Sequence, residues 1–145
     1  MLIFSSHPLM ILILTFLFSL GGCSKYSDEV QANLTKLKTT KSCSGCDLSG
    51  IELISFDLKN ADLSGANLTG ANLRRSDLSG ANLTDTNLTD ADLVGAIFTD
   101  AKLVNTNLSG VKLSYSNINE VDISGAVLCK SVMPSGQQDD SGCKR

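Results

Sequence analysis

The sequence predicts a solenoid of stacked repeats, and three observations predict it. Residues 46–130 divide without a gap into seventeen units of five, and a fixed internal period is the signature of stacked units. The third place of every unit is a large apolar residue, leucine throughout except Phe98, Ile118 and Ile123. Period five also fits neither ordinary element. On an α-helix five residues overshoot one turn by about 140°, so the leucines would wander around the cylinder. On a flat strand an odd step sends successive leucines to opposite faces. They share one interior only if the chain turns a corner in every unit.

From the amino end, residues 1–22 contain no Lys, Arg, Asp or Glu, and Leu9 to Leu20 is almost unbroken apolar sequence. The run is too short to span a bilayer as a free helix. It suits the apolar core of a secretory signal. It ends in Leu20-Gly21-Gly22-Cys23, which resembles a bacterial lipobox. That resemblance implies lipidation of Cys23 followed by cleavage before it, so that the mature chain begins at Cys23 with its acyl chains. Ser24 follows, and by analogy with lipoprotein sorting this implies the outer membrane, facing the periplasm. The only histidine, His7, lies in this leader. The mature chain would therefore lack the commonest general base and metal ligand.

Residues 23–45 are read as anchor, linker and a short capping helix. Val30, Leu34 and Leu37 fall at helical spacing. Ser27 is positioned to cap, with Asp28 and Glu29 in the first turn and Lys36 and Lys38 near the last. So short a helix is marginal alone. The open first coil offers it a surface and gains cover for its unpaired edge.

Within 46–130 the first place is small or apolar, and thirteen of seventeen second places are Asp, Asn or Glu. Residues i and i−2 lie on one side of an extended segment. The small residue thus joins the leucine inside, and the Asx between them points out to favour a tight turn. The stretch Ala61-Asp62-Leu63-Ser64-Gly65-Ala66-Asn67-Leu68-Thr69-Gly70 resembles the pentapeptide-repeat family. The resemblance implies an all-β fold, a right-handed quadrilateral parallel β-helix with four repeats to a coil and about four coils here. Residues 131–145 would then form a capping tail.

If Cys23 is acylated, Cys43, Cys46, Cys129 and Cys143 remain. Three pairings are possible. Cys43 and Cys46 lie four coils below Cys129, far beyond the roughly 7 Å Cα limit of a bridge. Cys43–Cys46 and Cys129–Cys143 are the workable pairs, unless the tail folds back along the column. An exported location favours such structural bridges. The alternative is a thiol-exchange motif at Cys43-Ser44-Gly45-Cys46.

The faces carry no catalytic constellation, no cofactor motif and no metal ligand set. Stacking every fourth repeat aligns Ile54, Arg74, Val94 and Ser114 with Ser55, Arg75, Gly95 and Tyr115 beside them. Arg74, Arg75 and Tyr115 form the candidate contact surface. A second face carries Lys59, Ser79, Thr99 and Asn119, with Ile97 interrupting its Asx column. Asp57 and Asp77 on adjacent coils are a weak candidate for a cation. The solenoid carries six basic and eleven acidic residues. Some members of the family imitate DNA and bind type II topoisomerases, an alternative if the chain is not exported. Direct nucleic-acid binding lacks a basic patch with stacking aromatics. The reading is a non-enzymatic, membrane-anchored binding or structural module with an unidentified protein partner, as a monomer or an end-to-end dimer.

Overall fold

The structure, a computed structural model, describes residues 25–118 and 121–143. The signal segment, Cys23, Ser24 and Asn119 lie outside the described residues. Helix α1, Asp28–Thr40, leads into a column of five-residue sides. Two short antiparallel strands, β1 (Ser131–Val132) and β2 (Gln138–Asp139), close the far end.

The column is built by parallel pairing at a constant step of twenty residues, as in Asp47 with Asn67, Asn67 with Asn87 and Asn87 with Asn107. Four five-residue sides therefore make one coil. Successive coils lie about 4.8 Å apart, the spacing of any β ladder.

One repeat accounts for all five of its backbone N–H groups. Ala61 N donates to Leu58 O (3.0 Å) and closes the turn. Asp62 N reaches down to Lys41 O (2.9 Å), while Leu63 N and Gly65 N reach up to Asn82 O and Thr84 O (both 2.9 Å). Ser64 N cannot reach a neighbouring coil and donates to the Asp62 carboxylate (3.1 Å). This last bond is the physical reason for Asx at the second place, because it satisfies a donor that the coil leaves behind. The fifth place has positive φ at every described position from Gly45 to Lys130. Gly, Asn and Asp recur there because they tolerate the left-handed region.

The interior is a stack of leucines. Every third-place side chain from Leu48 to Leu113 is at most 2% exposed. Each contributes on the order of 1.5–3 kcal/mol by burial. The first-place alanines fill the corners.

Both boundaries read from the sequence move outward by one repeat. Pairing begins at Ser42, against Asp62, and continues to Val132, against Lys112. Cys43, fully buried, occupies the interior place of the added first repeat. Met133 packs against the core in the added last one. A cysteine and a methionine serve where the pattern leads one to look for leucine. The coil is irregular at Asn117, where the side-chain Oδ1, not a carbonyl, accepts from Phe98 N (2.5 Å).

Helix α1 lies over the first coil. Ser27 Oγ accepts from Val30 N (3.3 Å), and Lys41 ends the helix in the left-handed region. Leu37 is fully buried and Val30 nearly so. Asn33 Nδ2 donates to Asp47 O (2.9 Å), tying the helix to the coil beneath.

Candidate interaction surface

The twenty-residue step sorts the outward side chains into four sides. On three of them the polar ladders are consumed internally. Ser64 Oγ donates to Asp62 Oδ1 (2.7 Å), Asn82 Nδ2 donates to the same oxygen (3.3 Å), and Asn67 Nδ2 reaches Asp47 Oδ1 (3.1 Å). The hydrogen bonds from Ser64, its hydroxyl most of all, and from Asn82 hold the Asp62 carboxyl below the usual carboxylate range.

The candidate cation pair is already occupied by lysines. Lys41 Nζ lies 3.1 Å from Asp57 Oδ2, and Lys59 Nζ lies 3.1 Å from Asp77 Oδ2. The stacked carboxylates are neutralised within the protein, so Asp57 and Asp77 are withdrawn as a cation site. Among the described residues no cluster of His, Cys, Asp or Glu is suited to a metal ion.

The fourth side comprises residues 51–55, 71–75, 91–95 and 111–115. Arg74, Arg75 and Tyr115 all lie on it, as the register expects. Arg74 is not available as a free cation, since its guanidinium contacts both Asp92 oxygens (3.0 and 3.3 Å). Arg75 and Lys112 have no ion pair or hydrogen bond through their side chains among the described residues. Tyr115 is 86% exposed and Ile54 is 52% exposed. Tyr115 and Arg75 both hold positive φ, 63° and 55°. Neither residue is suited to that region, and a bulky one there is an outlier.

The chain reaches the column on this same side. Lys25 Nζ pairs with Glu52 Oε1 (2.5 Å), and Tyr26 Oη accepts from Glu52 N (3.0 Å). Sequence reasoning missed Lys25, Tyr26 and Lys112 here. Lys112 stands at a second place and was available from the register. The docking of Lys25 and Tyr26, outside any repeat, left no signal.

The cysteines pair at the two ends. Cys43 joins Cys46 and Cys129 joins Cys143, with Cα separations of 5.2 and 4.5 Å. Cys43 is fully buried and Cys46 only 7% exposed. Thiol exchange needs a sulfur open to an attacking thiolate, and burial within the first coil opposes that role. Lys36 Nζ lies 4.0 Å from Cys46 Sγ.

The family described as Pentapeptide repeats matches in eight copies, over residues 42–80, 61–100, 76–114 and 91–129, together more than half of the chain. The structure is similar to that of a pentapeptide repeat protein from the thylakoid lumen of Arabidopsis thaliana. Identity is 29% and the TM-score 0.62, over 76% of this chain and 72% of that one. It is also similar to a pentapeptide repeat protein from the cyanobacterium Cyanothece 51142. There identity is 29% and the TM-score 0.50, over 66% of this chain and 92% of that one. None of the curated proteins matches.

Proposed function

The chain belongs to the pentapeptide-repeat family, and on that premise we propose that it is a non-enzymatic lipoprotein of the bacterial cell envelope. Cys23 carries the lipid anchor, α1 caps the right-handed quadrilateral β-helix, and the solenoid serves as a binding or structural module. The domain plan is a signal at 1–22, anchor, linker and capping helix at 23–45, repeats at 46–130 and a capping tail at 131–145, with the bridge ladder reaching Ser42 and Val132 beyond the repeats. Ser24 after Cys23 favours the outer membrane, facing the periplasm.

One observation carries this reading. Of five cysteines, the four described ones pair with each other at the two ends of the column. Paired structural cysteines are characteristic of oxidising compartments. Cys23 is left without a partner among them, as a cysteine consumed by acylation would be. The relative from the thylakoid lumen, also outside a cytoplasm, is consistent with a lumenal or periplasmic setting. A single acyl chain anchors marginally and several anchor stably.

The test is the intact mass of the protein isolated from its native membrane fraction, with and without reduction. The expected mass is that of residues 23–145 plus acyl chains, rising by two hydrogens for each of the two bridges on reduction. An unprocessed, unacylated chain with free thiols would overturn the reading.

A further inference from the structure

We propose that the side formed by residues 51–55, 71–75, 91–95 and 111–115 lies flat against an anionic lipid bilayer. The inference rests on the lipid-anchor reading and adds an orientation and a second membrane contact to it.

Charge singles this side out. Its cations are Arg74, Arg75 and Lys112 against Glu52 and Asp92, and Lys25 docks onto it as well. On each of the other three sides the carboxylates among the described residues outnumber the cations. They are Asp57, Asp77 and Asp100 against Lys59; Asp62, Asp85 and Asp122 against Lys41 and Lys102; and Asp47 and Asp90 against Lys130. A net-acidic protein thus presents one positive side. Arg75 and Lys112, the cations on it with no side-chain partner among the described residues, are the kind that anionic headgroups attract.

Apolar chemistry falls on the same side. Among the described large hydrophobic residues, Ile54 and Tyr115 are the two most exposed. A tyrosine with an apolar ring and a polar tip suits the headgroup level. They lie roughly three coil steps apart, about 14 Å, with the cations between and around them. The left-handed backbone of Tyr115 is unfavourable for folding.

The tether completes the argument. Lys25 and Tyr26 attach to Glu52, at the lower end of this side. Two residues of chain span at most about 7 Å, so acyl chains on Cys23 would enter the bilayer beside it. A weak polybasic contact and a lipid anchor reinforce each other. The charge and exposure that fit a bilayer would also fit an acidic protein, but the position of the tether favours the bilayer.

The test uses the full-length protein reconstituted into vesicles of phosphatidylcholine alone or of equimolar phosphatidylcholine and phosphatidylglycerol. A fluorophore is placed at Ser114→Cys on this side, or at Val104→Cys on the opposite one, and nitroxide-labelled lipid is the quencher. The expected result is strong quenching at position 114 with phosphatidylglycerol, little at 104, and loss of the difference in the Arg75→Glu, Lys112→Glu double variant. Equal quenching at both positions, or no dependence on phosphatidylglycerol, overturns the proposal. A retained protein quenched at neither position also overturns it and points to an acidic protein on this side. Flotation reports the anchor separately: the native chain should float with neutral vesicles and Cys23→Ser should not. An unacylated chain that floats only with phosphatidylglycerol keeps the side and removes the anchor. One that floats with neither removes both.

Discussion

Thr86 Oγ1 donates a hydrogen bond to the carbonyl of Leu63, 2.8 Å away and one coil below, from a fully enclosed position. Thr106 does the same to Leu83 and Ser131 to Leu108. Ser116 occupies the same first place, yet its buried hydroxyl has no partner among the described residues. The two cases predict opposite outcomes. Thr86→Ala should destabilise by about 1 kcal/mol, the net worth of a buried hydrogen bond. Ser116→Ala should be neutral or stabilising, since it removes an unpaired polar group from the interior. Urea unfolding of both variants checks this, and a loss of stability in Ser116→Ala would contradict it.

The interior leucines predict a second result. Leu83 is fully buried in the middle of the column, with coils above and below that cannot collapse into a gap. Leu83→Ala should therefore cost roughly 2–5 kcal/mol. Ile123, only partly buried near the far end, should cost less on the same truncation. Denaturant midpoints at constant m-value would measure the difference.

The fold was largely legible because its rule is local. A leucine every fifth residue, flanked by small and Asx residues, specifies the coil without reference to distant sequence. The cap was legible for a similar reason, since Ser27 and the first-turn acids announce a helix start. What escaped were positions where another residue type fills a repeat place. Cys43 and Met133 hold interior places, and the Asn117 side chain replaces a carbonyl. In the candidate site, the alignment of Arg74, Arg75 and Tyr115 follows from the twenty-residue step alone. The pairing of Arg74 with Asp92 does not, because side-chain reach between neighbouring coils is a tertiary property. Lys25 and Tyr26 bind Glu52 from outside the repeat, and no periodicity marks them.

Acid sensitivity follows from the Asx turns. The Ser64 hydroxyl bound to Asp62, the Ser79 hydroxyl bound to Asp77 and the Ser124 hydroxyl bound to Asp122 lower the pKa of each carboxyl. In the folded state each binds its proton less readily than in the unfolded chain, whose Asp pKa is about 3.9. The stabilisation is thus present above that value and is lost as pH falls through the lower folded values. Melting temperature should be flat across neutral pH and decline below about pH 4. Asp62→Asn combined with Asp77→Asn should make the decline shallower, because Asn keeps the accepting oxygen without the titration. An unchanged slope in that variant would show that other groups govern the acid limb.

Tyr115 links stability to the proposed membrane contact. Its φ of 63° is one that glycine adopts freely and a bulky side chain does not. The ring is 86% exposed, so its removal forfeits little packing. A residue forced into this region carries a penalty of roughly 1–2 kcal/mol, and glycine partly offsets the relief by its greater unfolded-state entropy. Tyr115→Gly should therefore raise stability, by up to about 1 kcal/mol. The same variant should reduce quenching of the label at position 114 on anionic vesicles. Tyr115→Phe keeps both the strain and most of the apolar area, and should leave both readouts nearly unchanged. Thermal melts and vesicle quenching on the three proteins separate the possibilities. A glycine variant that gains stability yet keeps full membrane contact would mean that the strained tyrosine has no part in the interface.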